Sequence, residues 1–417
     1  MSDQAKIQKY NKRLEQLRTE RSYFMDYWGE LADYHLTHRG RFLVKRGKQP
    51  KRNTKQYNNT SRMAARTLAS GMMAGITSPA RPWFKLGTSD PDMAERKAIK
   101  DWLHAVEVLM YRVFSQSNTY NALHSLYSEL GVFGTGAMGV YEDFDNVVRC
   151  KTYTAGSYML GLGGDDSVDT FYREYCRTAG QLVKEFGIEN VSDSVADMWR
   201  NGNIEHEIDV VHVVEPNDDR DMMSPLARDF EYRSVYYEKG TTKGQGKLLR
   251  ESGFRTFPIL APRWDVVGEE IYSEDCPGMV TLGDTKALQL GERRKYQALD
   301  KLANPPLQGD AELKNQVTGG SLNAGDILFL SKNAKPLESV YGGYQPRLDY
   351  VQAIQQEVEL RIKRGFYEDL FLMLANTDRR QITAREVAEK HEEKLLMLGP
   401  VLERLHAELL DPLIDRS

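Results

Sequence analysis

Two helical segments bracketing a short, proline-bounded insert constrain this chain more than any other feature. A helix-compatible run from Pro277 to Leu302 is stopped by Asn304-Pro305-Pro306, because proline lacks a backbone N–H and disfavours helix in the residue before it. A second run begins after Pro346 and extends to about Tyr367. Helices of about 20 residues span roughly 30 Å each. The insert between them, residues 304–345, carries the strand-like run Ile327-Leu328-Phe329-Leu330 and three Gly-rich turns. Such a pattern reads as a small module held away from a main body on paired struts.

The main body reads as α+β. Residues 3–35 predict a helix with apolar positions at Ile7, Tyr10, Leu14, Leu17, Phe24, Trp28 and Leu31, a 3-4 spacing interrupted by Arg21. Further helices are expected at 59–75, at 91–116 with Asp90 as N-cap and Pro91 at the first turn, and at 118–130 with Gly131 as its C′ residue. Strands are expected at 137–142, 147–155, 168–177, 205–215, 230–238 and 256–261, with turn signals at Gly161–Gly164 and after Pro216. Between the first two helices, Arg39 to Lys55 carries eight basic residues and no acidic one, together with Gly40, Gly47 and Pro50, and reads as a loop or arm.

The C-terminal stretch from Thr383 to Arg416 begins with a capping box, Thr383 and Glu386, and keeps apolar spacing from Val387 to Leu413 through Gly399-Pro400. A helix bent at Pro400 is expected there. Together with the preceding YEDLFLMLANTDRRQ, residues 367–381, this stretch resembles the portal proteins, or head-to-tail connectors, of short-tailed, podovirus-type bacteriophages. Three further strings resemble the same family in the same order: LASGMMAGITSPARPWFKL (68–86), LGVFGTGAMGVY (130–141) and CPGMVTLGDTKALQL (276–290).

That resemblance implies a division into a helical and β-rich wing (1–276), a stem helix (277–303), a clip (304–345), a second stem helix (346–368), a tunnel loop (369–382) and C-terminal wing helices (383–417). Members of the family usually continue beyond the DPLIDR string, so a crown is expected to be absent or truncated here. The resemblance further implies a closed ring, dodecameric in the family, at a capsid vertex of the virion. Double-stranded DNA would pass through it, and terminase, tail adaptor, major capsid and scaffolding proteins would be its partners, with assembly in the host bacterial cytoplasm. On this reading the chain is not an enzyme and takes no cofactor and no metal.

Composition sets limits on the alternatives. With 56 Lys and Arg against 60 Asp and Glu the formal net charge is −4, which argues against a tight phosphate clamp. It suits a conduit, because each neutralised phosphate adds about 0.9 to the salt slope of DNA affinity and a ring multiplies every contact. Cys150, Cys176 and Cys276 are widely separated and read as reduced structural thiols. No apolar run reaches the ~18 residues of a membrane helix, and no membrane partner is expected.

Gly134-Thr-Gly136-Ala-Met-Gly139 matches GxGxxG, and a nucleotide-binding enzyme using this loop is one alternative; yet a dinucleotide loop follows a strand and opens a helix, and here the expected order is reversed. A monomeric nucleic-acid adaptor using the arm 39–55 is another. His206 and His212 share a face of one expected strand but lie ~20 Å apart, too far to hold one metal. The acidic loop Glu215, Asp218, Asp219 and Asp221 reads as a solvated turn with a divalent cation as the rarer possibility. The DNA-channel candidates are Arg293, Arg294, Lys295 and Lys301 on the first strut, Lys363 and Arg364 on the second, and Arg379 and Arg380 in the loop that the family places in its tunnel. On the second strut Val351, Ile354, Val358 and Ile362 define the expected apolar face, away from Lys363 and Arg364.

Overall fold

The first helix of the computed structural model, α1 (Asp3–Tyr34), lays one stripe of side chains across two cores. The structure describes residues 3–40, 56–88, 90–94, 96–239, 246–303, 307–308, 338–339, 348–375 and 399–417. Ile7, Tyr10, Leu14 and Leu17 pack with Met159, Val211, Val213 and Val235 of a sheet, whereas Trp28, Leu31 and Ala32 enter the main core. The helix is continuous, as expected, and Arg21, which interrupts the apolar spacing, lies within the buried stripe. Its side chain is buried and Nη1 donates to the carbonyls of Gly156 and Tyr158, both at 2.9 Å, so a cation occupies a core position through backbone acceptors.

Helices α2 (Thr60–Gly75), α3 (Pro91–Ala94), α4 (Lys97–Gln116) and α5 (Thr119–Phe133) follow. The helix expected over 91–116 is two, because Arg96 adopts extended backbone, ψ 124°, ahead of α4. Asp90 does cap its start, accepting the Asp92 N–H at 2.9 Å. The stop expected at Gly131 falls three residues later. Gly134 takes φ +75° and its N–H bonds the Leu130 carbonyl, as a left-handed C′ residue does. Gly131 stays helical, and a Cβ there would lie 2.5 Å from Cδ2 of Leu68, so its smallness serves the packing of α5 on α2.

Two antiparallel sheets form the β part of the body. Strands β1 (Ala137–Asp143), β2 (Val147–Tyr153) and β8 (Ile259–Leu260) lie in the order β2-β1-β8. A five-stranded sheet runs in chain order from β3 (Tyr158–Leu162) through β4 (Val168–Thr178), β5 (Glu207–Pro216) and β6 (Tyr232–Glu238) to β7 (Leu248–Phe254). The strand expected at 256–261 shrinks to two residues. Sequence reading misses β3, β7 and the two short helices α6 (Ala179–Phe186) and α7 (Asp193–Arg200). β3 is hidden by its glycines: the turn closes at Gly163, whose N–H bonds Ser167, and Gly161 remains in the strand where Leu17 of α1 approaches.

The struts are α8 (Pro277–Ala303) and α9 (Leu348–Gly365), followed by α10 (Glu368–Ala375). Beyond α8, β9 (Leu307–Gln308) pairs antiparallel with β10 (Glu338–Ser339), so the chain turns back within the insert. The C-terminal segment comprises α11 (Gly399–Leu405), a π turn (His406–Leu410) and α12 (Asp411–Arg416). The capping box at Thr383 and Glu386 lies outside the described residues, as does the approach to Pro400. A described departure from α-helix comes before Pro412, which has no N–H to give and whose ring crowds the carbonyl four residues back. Asp411 bonds the carbonyl of His406, five residues back, and this wider turn relieves the conflict.

Candidate nucleic-acid interface

The foot of α8 is fixed before any of its charges matters. Pro277, Gly278, Thr281, Leu282, Thr285 and Leu288 are buried, and burial continues to Glu292. Gly278 lies against the backbone of Val132 at the end of α5, where a Cβ would come within 2.5 Å of the carbonyl oxygen. Gly278→Ala is therefore expected to destabilise the chain by about 2 kcal/mol, overpacking outweighing the ~1 kcal/mol of helix propensity that alanine brings. Chemical denaturation checks the sign; a stabilised variant would show that α8 can shift without loss.

The second strut crosses the first closely at Gly365, where a Cβ would meet Thr281. Its buried positions are Gln355, Val358 and Ile362, while Ile354 is 46% exposed. The apolar face expected to include Ile354 is thus displaced by one residue, because the amide of Gln355 has a partner on α8: its Oε1 accepts from Lys295 Nζ at 3.1 Å. Lys295 also approaches Glu292 at 3.5 Å. Of the strut cations expected to face a channel, Lys295 is turned toward the other helix.

Arg293 and Arg294 are exposed and meet no carboxylate among the described residues. Lys301 is exposed near the end of α8. Lys363 is half-buried, and Arg364 lies 3.7 Å from Asp369. Because Gly365 packs on Thr281, the pair at 363–364 sits near the foot, and Arg293 and Arg294 stand roughly 18 Å farther along the axis. The structure therefore places these cations at two levels. Arg379 and Arg380 fall outside the described residues. Glu357 reaches Arg361, which also bonds Asp284 across the struts at 3.0 Å, and Glu359 accepts from Asn58 Nδ2 at 2.7 Å.

That last bond belongs to an anchor that sequence reading missed. Gln289 Oε1 accepts the backbone N–H groups of Tyr57 and Asn58 at 2.6 and 2.9 Å, and its Nε2 donates to the Asn58 carbonyl at 2.7 Å. The return of the basic arm is thereby fixed to the strut. Its departure is fixed to the body: Arg39 donates to Ser125 and Glu129, and Gly40 N–H donates to Thr154 Oγ1 at 2.7 Å. Residues 41–55 lie outside the described residues.

The remaining candidates resolve simply. Gly134 closes a helix and Gly136 leads into β1, so no helix N-terminus follows the GxGxxG string to receive a pyrophosphate. His206 lies outside β5 and His212 is buried in it. Glu215 accepts from the Tyr172 hydroxyl at 2.6 Å and Asp221 caps its own loop at Met223, and among the described residues no group of three potential ligands converges on a metal position. The three cysteines are buried and form no disulfide, and burial pushes the Cys276 thiol up to about 12. No described helix is long and apolar enough to cross a membrane.

The sequence pattern of the family described as "Bacteriophage head to tail connecting protein" matches residues 7–417. The chain belongs to that family, a class of structural connectors in phage particles. It is 46% identical over 411 residues to the portal protein of Salmonella phage epsilon15, covering 97% of this chain and 72% of that one. It is also 46% identical over 418 aligned positions to a probable portal protein of Bordetella phage BPP-1, covering 100% of this chain and 74% of that one. Among solved structures, chains from a gene transfer agent virion and from the neck of an empty particle of that kind align at TM-scores of 0.37 and 0.39 with 11% and 12% identity, over 82% and 84% of this chain and 79% and 76% of theirs.

Proposed function

We propose that this portal-type connector works as one subunit of a closed ring, a dodecamer, at a single capsid vertex, through which double-stranded DNA is packaged and later ejected. The observation that carries this reading is the 46% identity to two portal proteins across essentially the whole chain. The struts support it. In the ring, 277–303 and 346–368 form the stem, 304–345 the clip that docks terminase and tail adaptor proteins, 1–276 and 383–417 the wing against capsid and scaffolding proteins, and 369–382 the tunnel loop. Heterologous contacts that close give such symmetry. Arg293, Arg294, Lys301, Lys363, Arg364, Arg379 and Arg380 then line the DNA path, and Lys295 holds the two stem helices together. The ring is a virion component put together in the host cytoplasm, and its action is passage and docking rather than catalysis.

Negative-stain images of the purified chain should show rings with a central hole. Arg293→Gln with Arg294→Gln should leave ring yield unchanged, since exposed charges contribute little to stability. The amount of DNA packaged should change, and more so at low salt. Compact single-chain particles at every concentration would defeat the ring, whereas normal packaging by an intact variant ring would remove these two arginines from the path.

A further inference from the structure

A row of directly opposed residues crosses the five-stranded sheet: Tyr158, Arg173, His212, Tyr236 and Arg250, one from each strand in order. Opposed residues share a sheet face. Cations and rings interlock along it. The Arg173 guanidinium lies over Tyr153 and Tyr175, at 4.7 and 4.4 Å from their centroids, and Arg177 lies over Tyr175 at 5.3 Å. Arg250 lies 4.9 Å from the Phe186 centroid, and His212 stacks on Tyr236 at 3.9 Å. From the neighbouring sheet, Lys151 of β2 comes over Tyr153 at 5.8 Å.

The charges of this face are unbalanced. Lys151, Arg173, Arg177 and Arg250 meet one described carboxylate, Glu185, which is 3.7 Å from Arg177 Nε. Burial and then the neighbouring Arg173 and Arg177 bring the Lys151 ammonium down to about 8, with Arg149 adding to that and Glu185 opposing it. Like charges held together in the free protein are relieved when an anion binds. We propose that this face binds the phosphate backbone of double-stranded DNA. A phosphate chain fits better than an acidic protein segment, because protein interfaces draw affinity from apolar anchors in pockets, and here Tyr153, Tyr175 and Phe186 are 4%, 5% and 7% exposed beneath the cations. Phosphate contact needs only fixed donors and charge, and stacked guanidiniums supply both. The site stands apart from the struts and does not depend on their lining a channel.

The test is fluorescence anisotropy of a labelled duplex with the full chain over a salt series. Lys151→Gln with Arg250→Gln should lower the slope of log affinity against log salt by about 2, at about 0.9 per lost phosphate contact, and Arg66→Gln with Arg112→Gln should leave it alone. An unchanged slope in the first variant would overturn the proposal. Should that variant fail to fold, the parent chain still decides: raising the pH from about 7 to 9 discharges Lys151 and should lower the slope by about 1, a fall absent in Lys151→Arg. Equal slopes at both pH values in the parent chain would also overturn it. Polyglutamate that displaces the duplex as well as unlabelled DNA of equal charge would do so too, assigning the face to an acidic protein.

Discussion

Acidification from pH 7 to 5 is expected to remove about 2 kcal/mol of stability through His35 alone, at 1.36 kcal/mol per pH unit below the ordinary histidine value of ~6.5. His35 is fully buried after the end of α1, its Nδ1 shares a hydrogen with Ser61 Oγ of α2, and its ring meets Phe366 edge-on at 5.5 Å. Burial lowers its pKa to about 3, with the Gly278 backbone offsetting a small part. The folded chain thus binds fewer protons than the unfolded chain between about 6.5 and 3, so stability is present above that window and is lost as pH falls through it. His212, pressed well below the usual range by burial and then by Arg173, Lys151 and Arg250, acts in the same direction. Glu129 acts oppositely: burial raises its carboxyl, so its charged form is disfavoured at neutral pH and acid relieves it. Urea midpoints at pH 7 and 5, at one protein concentration, should show the parent losing about 2 kcal/mol more than His35→Gln. Parallel losses in the two proteins would exclude His35 as a source.

Arg263→Ala is expected to cost about 3–5 kcal/mol, the range for leaving one partner of a buried ion pair alone. Arg263 is 6% exposed, and Nε and Nη2 donate to Glu408 Oε1 at 3.0 and 2.6 Å while its own backbone N–H donates to Oε2 at 2.8 Å. Nη1 and Nη2 also satisfy the carbonyls of Glu270 and Asp166. One side chain therefore joins the segment after β8, two loops and the π turn ahead of α12. Glu408→Gln keeps an acceptor for Arg263 and should cost less than Arg263→Ala. Denaturant unfolding of both variants checks the order. A loss below about 1 kcal/mol for Arg263→Ala would mean that water replaces the fork without penalty.

Local chemistry explains which parts of this were legible. The bounds of α8 could be read because Pro277 opens it and Asn304-Pro305-Pro306 follows it. Ile354 was placed on the buried face because apolar periodicity cannot see that a glutamine one residue along has a lysine to receive. His35 reads as the last residue of the first expected helix until Ser61, Gly278 and Phe366 close around it. The basic face was hidden for the same reason. Arg173, Tyr175 and Arg177 alternate with period 2, a visible hint, but Arg250 and Lys151 join them only through strand register and sheet packing. The π turn had a clear marker in Pro412.

The burial pattern of α8 makes it a lever. Its 27 residues extend about 40 Å, yet its buried contacts end at Glu292, leaving Arg293 to Ala303 projecting by roughly 16 Å. A rotation of about 10° at the foot would carry the far end through roughly 7 Å at that length. Load applied beyond Ala303 reaches the body as torque on Gly278 against Val132 and Gly365 against Thr281, where there is no side-chain slack to absorb it. Stiffness at these two glycines thus decides whether a push at the tip is transmitted as a tilt of the whole strut or dissipated at its root.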